Sequence, residues 1–267
     1  MPITALALLA ALLYLAATGL HLLHIFQRRE GLSGAVLGLG LVAMLAHAVV
    51  AWGSINGPDG VSLGFYKISA LIFLVINITC ALLMLRRPLQ SLLVFLFPLS
   101  AMSMLVSTFA PDTSALSSDL SSGMLLHIST SILAYAIFTL AAAQAALVAV
   151  QDYQLRHRRT QGIVQLLPPL QLMETMLFEL LFVGVLLLTA AIVSGFIFVD
   201  DLFAQSLVHK TVLTIVAWLL FTTLLWGHHQ LGWRAQTAVR LTLAGFVMLM
   251  LAFFGSKLVL ELVLQRG

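Results

Sequence analysis

From Ser206 to His229 the chain reads SLVHKTVLTIVAWLLFTTLLWGHH, and this stretch decides the fold class. No charge occurs between Thr211 and Gly227. A helix needs about 20 mostly apolar residues to cross the hydrocarbon core of a bilayer. The ends differ from the middle: His209 and Lys210 open the run, and His228 and His229 close it. A lipid-soluble helix with imidazoles at both ends belongs either to a passive membrane bundle or to a protein that holds a metal-centred cofactor.

The surrounding composition makes the same demand. Only 9% of the residues are charged and 61% are hydrophobic, with a mean hydropathy of +1.08. A soluble domain carries about a quarter of its residues charged to cover its surface, so lipid must be the solvent here. Cys80, in an apolar run, is the single cysteine. That excludes an intramolecular disulfide, Cys-x-x-Cys thiol chemistry and covalent c-type haem attachment. The residue reads as a small packed hydrophobe.

Seven further apolar runs accompany the one around residues 207–227, at roughly 3–26, 32–54, 64–85, 89–109, 123–150, 175–199 and 239–263. The first lacks the basic start of a secretory signal and reads as a retained membrane helix. The runs are continuous, without the alternation of barrel strands. The expected fold is therefore all-α: a polytopic bundle of about eight transmembrane helices, forming one integral-membrane domain over 1–267. NGPDG at 56–60 reads as a turn, RRP at 86–88 as a helix stop and APDTSALSSDLSSG at 110–123 as a polar loop. Gly34 and Gly38 have small-xxx-small spacing, which predicts a close helix contact.

Arginines 28, 29, 86, 87, 156, 158, 159, 234 and 240 fall in or beside alternate connections, and aspartates 59, 112, 119, 200 and 201 lie in the others. The positive-inside rule then places both termini outside. The basic segment QDYQLRHRRTQG at 151–162 is expected at anionic headgroups, with Glu174 and Glu179 as interfacial carboxylates nearby. No phosphate-binding glycine loop, nucleic-acid module or soluble catalytic domain is present, and the sequence offers no catalytic residue.

The histidines carry the chemistry. Polar side chains in a bilayer face the bundle interior or a cavity. By depth, His47, His127 and His209 approach one leaflet from three helices, whereas His21, His24, His228 and His229 lie toward the other, and His157 belongs to the basic loop. His209 and His228 are nineteen positions apart, about 28 Å along a helix, so they cannot share one ion or porphyrin. Ser131 and Tyr135 follow His127 on its own helical face. Three histidines and a water would suit zinc, but no zinc-enzyme signature accompanies them. A b-type haem needs only one or two axial imidazoles and an apolar slot between helices, which makes it the expected cofactor.

GMLLHISTSILAYAIFTLAAAQAALVAVQDYQL at 123–155 resembles the histidine-bearing helix of CcsA/ResC-type cytochrome c assembly proteins. LLWGHHQLGWRAQTAVRLTLAGF at 224–246, followed by LAFFGSKLVLE, resembles that family's closing helix pair with its Gly-Trp-Arg turn. The similarity covers most of the chain and is nearest to the short YpjD-type and HemX-like inner-membrane members. It implies haem handling, with His127 matching an external histidine, His47 an early membrane histidine and His228 the histidine that ends the helix after the tryptophan-rich loop. FIFVDDLFAQSLVHK at 196–210 contains no tryptophan, and the C-terminal stretch contains no histidine. The presentation loop and second external ligand of a full synthetase are therefore missing.

These features lead to a haem-handling protein of the inner membrane. It is expected to carry or sense haem b at His47, His127 and His209, without ligating it to cytochrome c, surrounded by lipid and without nucleic acid. The alternative is a non-catalytic regulatory or partner subunit of another membrane protein or transporter, with a vestigial haem site.

Overall fold

The computed structural model describes residues 3–27, 32–57, 60–62, 64–110, 116–117, 121–158, 167–198 and 208–255. Among these lie eight helices long and apolar enough to cross a membrane: α1 Ile3–Gln27, α2 Leu32–Ile55, α3 Phe65–Met84, α4 Leu93–Phe109 after a 3-10 turn at Gln90–Leu92, α5 Ser122–Arg156, α6 Leu170–Phe198, α7 Val208–Leu231 and α8 Ala235–Met250. A π-helical turn, Leu251–Gly255, continues α8. The rest of the last expected span lies outside the described residues. The all-α membrane architecture is the one the apolar runs predict.

Several helices outrun their apolar segments. α5 continues to Arg156, where the guanidinium pairs with Asp152 one turn back at 3.0 Å. α6 begins at Leu170, directly after Pro168 and Pro169, because proline's fixed φ suits a helix start. The connection expected over 151–174 is correspondingly shorter. Hydropathy finds the hydrocarbon segment, whereas backbone hydrogen bonding carries the helix on into the headgroup layer.

The chain divides into two compact units, residues 1–119 and 120–266. In the first, α1 packs on α2 and α4, and α3 on α2 and α4. A small antiparallel ribbon joins β1 Asn56–Gly57, β2 Gly60–Ser62 and β3 Leu116–Ser117; the tip of the expected turn lies outside the described residues. Tyr14 is fully buried and its ring meets Phe97 at 5.3 Å. Gly40 makes room for that phenylalanine, since a Cβ there would lie 2.6 Å from it. The close contact expected at Gly34 and Gly38 is not formed: both face open space, and the glycine of α2 that receives Phe97 of α4 is Gly40, two residues on and on another face of the helix. Asn77 and Ser100 hydrogen-bond between α3 and α4, and Cys80 is buried.

In the second unit α5 packs on α6 and α8, and α7 on α6 and α8. At its centre Phe138 of α5 stacks on Phe221 of α7, centroids 4.0 Å apart. Gly184 on α6 and Gly245 on α8 make room for the pair, since a Cβ would lie 2.9 Å from Phe138 and 2.6 Å from Phe221. Gln144 and Gln151 project from α5 to the carbonyls of Met173 and Pro168. Both glutamines are buried, where an unpaired amide is costly, so these bonds fix α5 and α6 antiparallel and in register.

Candidate functional site

That register delivers His127 to α6. Ser121 caps α5 by accepting the Met124 N–H at 3.2 Å, and His127 stands in the second turn. Its Nδ1–H donates to the Ala191 carbonyl at 2.9 Å, with the Ser194 hydroxyl 3.3 Å away. Gly195 leaves the imidazole its space, for a Cβ there would lie 3.0 Å from Cε1 and 3.2 Å from Nδ1. With Nδ1 donating, a neutral ring carries its lone pair on Nε2. This is the arrangement in which metal-ligating histidines are held. The ring is half-buried.

The residues expected to share its face divide. Ser131 is half-buried. Tyr135, two turns below, turns its hydroxyl to the Met250 sulfur at 2.6 Å and packs against Phe246 and Phe253. Its hydroxyl thus joins α5 to α8 where α8 gives way to the π-turn.

His209, in the first turn of α7, is exposed. Among the described residues no hydrogen bond or ring contact links it to His127. His228, at the other end of α7, donates through Nδ1 to the Trp233 carbonyl at 2.8 Å and stacks on Phe178. The Gly-Trp-Arg turn explains the geometry. Gly232 takes φ +67°, a conformation glycine adopts without strain. The Trp233 ring fills the space beside Gly227, where a Cβ would lie 2.3 Å from it. Glu174 of α6 then accepts the Ala235 N–H at 3.1 Å, capping α8.

His47, in the first unit, is fully buried. Its Nδ1 lies 3.3 Å from the Tyr14 hydroxyl. Its Nε2 makes no hydrogen bond of ordinary geometry. His157 is exposed and bonds the Tyr153 carbonyl of its own helix, as expected of a solvated loop-side residue.

Within each unit no three His, Cys, Asp or Glu side chains among the described residues gather to hold a metal ion. The donor set suits haem better, because one imidazole with an oriented Nδ1 can serve as an axial ligand. His127 and His228 have that orientation, and His47 has an orphaned nitrogen.

Sequence reasoning missed the groups that hold the rings: Tyr14, Ala191, Ser194, Gly195, Phe178 and Gly227. None carries a signal of its own. Each becomes legible only once helix register is known.

The chain matches the family model described as cytochrome c assembly protein over residues 5–264. It is 31% identical to inner membrane protein YpjD of Escherichia coli K12, across 96% of this chain and 98% of that protein. It is also 30% identical to an uncharacterized 28.8 kDa protein in the nifR3-like 5′ region of Azospirillum brasilense, across 52% of each. No solved structure matches it.

Proposed function

The chain belongs to the cytochrome c assembly protein family and is a multi-pass inner-membrane protein; from that premise we propose that it binds haem b and carries or senses it, without attaching it to cytochrome c. The single observation that supports this best is the His127 cradle: Nδ1 held by Ala191, space left by Gly195, and Nε2 left as the lone-pair nitrogen. His47, His209 and His228 are the further candidate ligands, with Ser131 and Tyr135 as polar neighbours. When bound, haem supplies an iron centre able to change oxidation state and accept a ligand. The protein's own part is to fix the imidazole tautomer, to enclose an apolar macrocycle among helix faces and to keep water away. The missing tryptophan-rich loop supports carriage or sensing over ligation.

Protein purified from haem-replete membranes is expected to show a Soret band that His127→Ala removes or sharply weakens. A colourless preparation that also fails to take up added hemin would overturn the reading.

A second reading, a regulatory or partner subunit with a vestigial haem site, is favoured by one observation: His209 is exposed and makes no described contact with His127. Stoichiometric co-purification of a membrane partner, unaffected by substitution of His47, His127 and His209, would support it.

A further inference from the structure

The register of α5 and α6 brings Ser194 beside His127, yet the serine proton does not go to the imidazole. Its hydroxyl donates to the Ala191 carbonyl of its own helix at 3.0 Å, the same oxygen that takes the His127 Nδ1–H at 2.9 Å. Within α6, Leu170–Phe198, that oxygen is also the helical acceptor of the Gly195 N–H, four residues on. A carbonyl oxygen has two lone pairs, and three donors converge on this one. Each bond is therefore weaker than it would be alone. Ala191 is 3% and Ser194 5% exposed, so the competition is settled among these groups and not by bulk water.

Different groups set the ring's position and the strength of its hydrogen bond. Position follows from two backbone features, the Ala191 carbonyl and the missing Cβ of Gly195. The serine oxygen adds little as a second anchor: it stands 3.3 Å from Nδ1, just outside the usual N–H···O range of about 2.7–3.2 Å. What the serine adds is a rival donor on the carbonyl.

That rivalry has a chemical consequence at the other nitrogen. The more strongly the Nδ1–H is held, the more basic Nε2 becomes and the tighter it binds a metal. A carboxylate partner would make the imidazole a strong ligand. Among the described residues His127 has no such partner, only a carbonyl that is already shared and a hydroxyl that competes for it.

We propose that Ser194 keeps His127 a weak ligand, so that the site is built to hand haem on and not to retain it. The inference rests on the haem-handling reading above and narrows it from carrying or sensing to carrying. Ser194 is neither a ligand nor an anchor; it acts through the Ala191 carbonyl. Removing its hydroxyl should therefore tighten binding, the reverse of what losing an anchor would do.

The test uses the full-length protein in nanodiscs, loaded with hemin and mixed with excess apomyoglobin. Ser194→Ala is expected to slow hemin release by about fivefold, roughly 1 kcal/mol, and to raise the iron–imidazole stretching frequency of the reduced form. Ser194→Thr keeps a hydroxyl that can bond back to a carbonyl of its own helix, and should release hemin at the wild-type rate. Without haem, nitrogen-15 NMR of labelled histidine reads the hydrogen bond itself. The Nδ1–H resonance that His127→Ala removes should move downfield in Ser194→Ala. Release that is unchanged or faster in Ser194→Ala would overturn the proposal, as would an Nδ1–H resonance that stays in place. So would Ser194→Thr releasing as slowly as Ser194→Ala, because the hydroxyl would then not be the cause. If wild-type protein takes up no hemin, the haem-handling reading falls and the carrying role with it, while the NMR shift still decides whether Ser194 competes for the carbonyl.

Discussion

His127 and Gly195 are a matched pair: the imidazole on α5 fills the volume that a Cβ on α6 would take, 3.0 Å from its Cε1. Ring position and ring tautomer are thus set by one helix face, through the Ala191 carbonyl and the adjacent glycine. Gly195→Ala is expected to push the ring off that carbonyl and to lower hemin affinity by about tenfold, near 1.4 kcal/mol. A hemin titration followed at the Soret band measures it. A curve identical to wild type would mean that the ring's seating on α6 is irrelevant to binding.

Tyr14→Phe separates packing from hydrogen bonding in the first unit. The phenyl ring keeps its contact with Phe97, but His47 loses the hydroxyl beside Nδ1. Leaving a buried polar atom unsatisfied costs about 1–3 kcal/mol, and the thermal midpoint in detergent should fall accordingly. An unchanged midpoint would show that the 3.3 Å contact contributes nothing to stability.

Gly227→Ala tests the turn into α8. A Cβ there meets the Trp233 ring at 2.3 Å, and that ring cannot withdraw without dragging the carbonyl that holds His228. Overpacking of this kind costs about 1–3 kcal/mol. The melt should shift down and the tryptophan emission should change together; a shift in neither would refute the wedge.

The fold was legible because its decisive signal is local. Seventeen uncharged residues from Thr211 to Gly227 identify a membrane helix whatever their neighbours do, and the same holds for the other runs. Helix ends were less legible at Arg156 and Leu170, since polar residues continue a helix wherever the backbone is still paired. The site was legible as residue types only. His127, His47 and His228 stand out because an imidazole in lipid is expensive, but Ala191 and Gly195 are ordinary helix residues until α6 is set against α5 in register. The small-residue contact was misassigned to Gly34 and Gly38 for the same reason: spacing identifies a small face without saying whether a neighbour uses it, and here Gly40 does.

Glu174 has a structural role at the start of α8. Its carboxylate caps α8 where the residue at the cap position, Arg234, gives no side-chain cap. Losing a cap costs about 0.5–2 kcal/mol. Glu174→Ala should therefore lower the thermal midpoint, whereas Glu174→Gln, which keeps an acceptor oxygen, should stay near wild type. Equal losses in the two variants would point to charge instead of the hydrogen bond.

The orientation of the chain rests on its arginines and is open to direct measurement. α5 runs from Ser122 to Arg156, about 52 Å at about 1.5 Å per residue, so its two ends must emerge on opposite sides of a hydrocarbon core about 30 Å thick. Cys80 is buried and should stay silent to a membrane-impermeant maleimide, giving a clean background. Ser122 and His157 are both exposed, so Ser122→Cys and His157→Cys place one accessible thiol at each end. With the basic segment held inside, intact cells or spheroplasts should label the first and spare the second, and inverted vesicles should do the reverse. The opposite pattern would put both termini in the cytoplasm and turn the His127 cradle to face it as well.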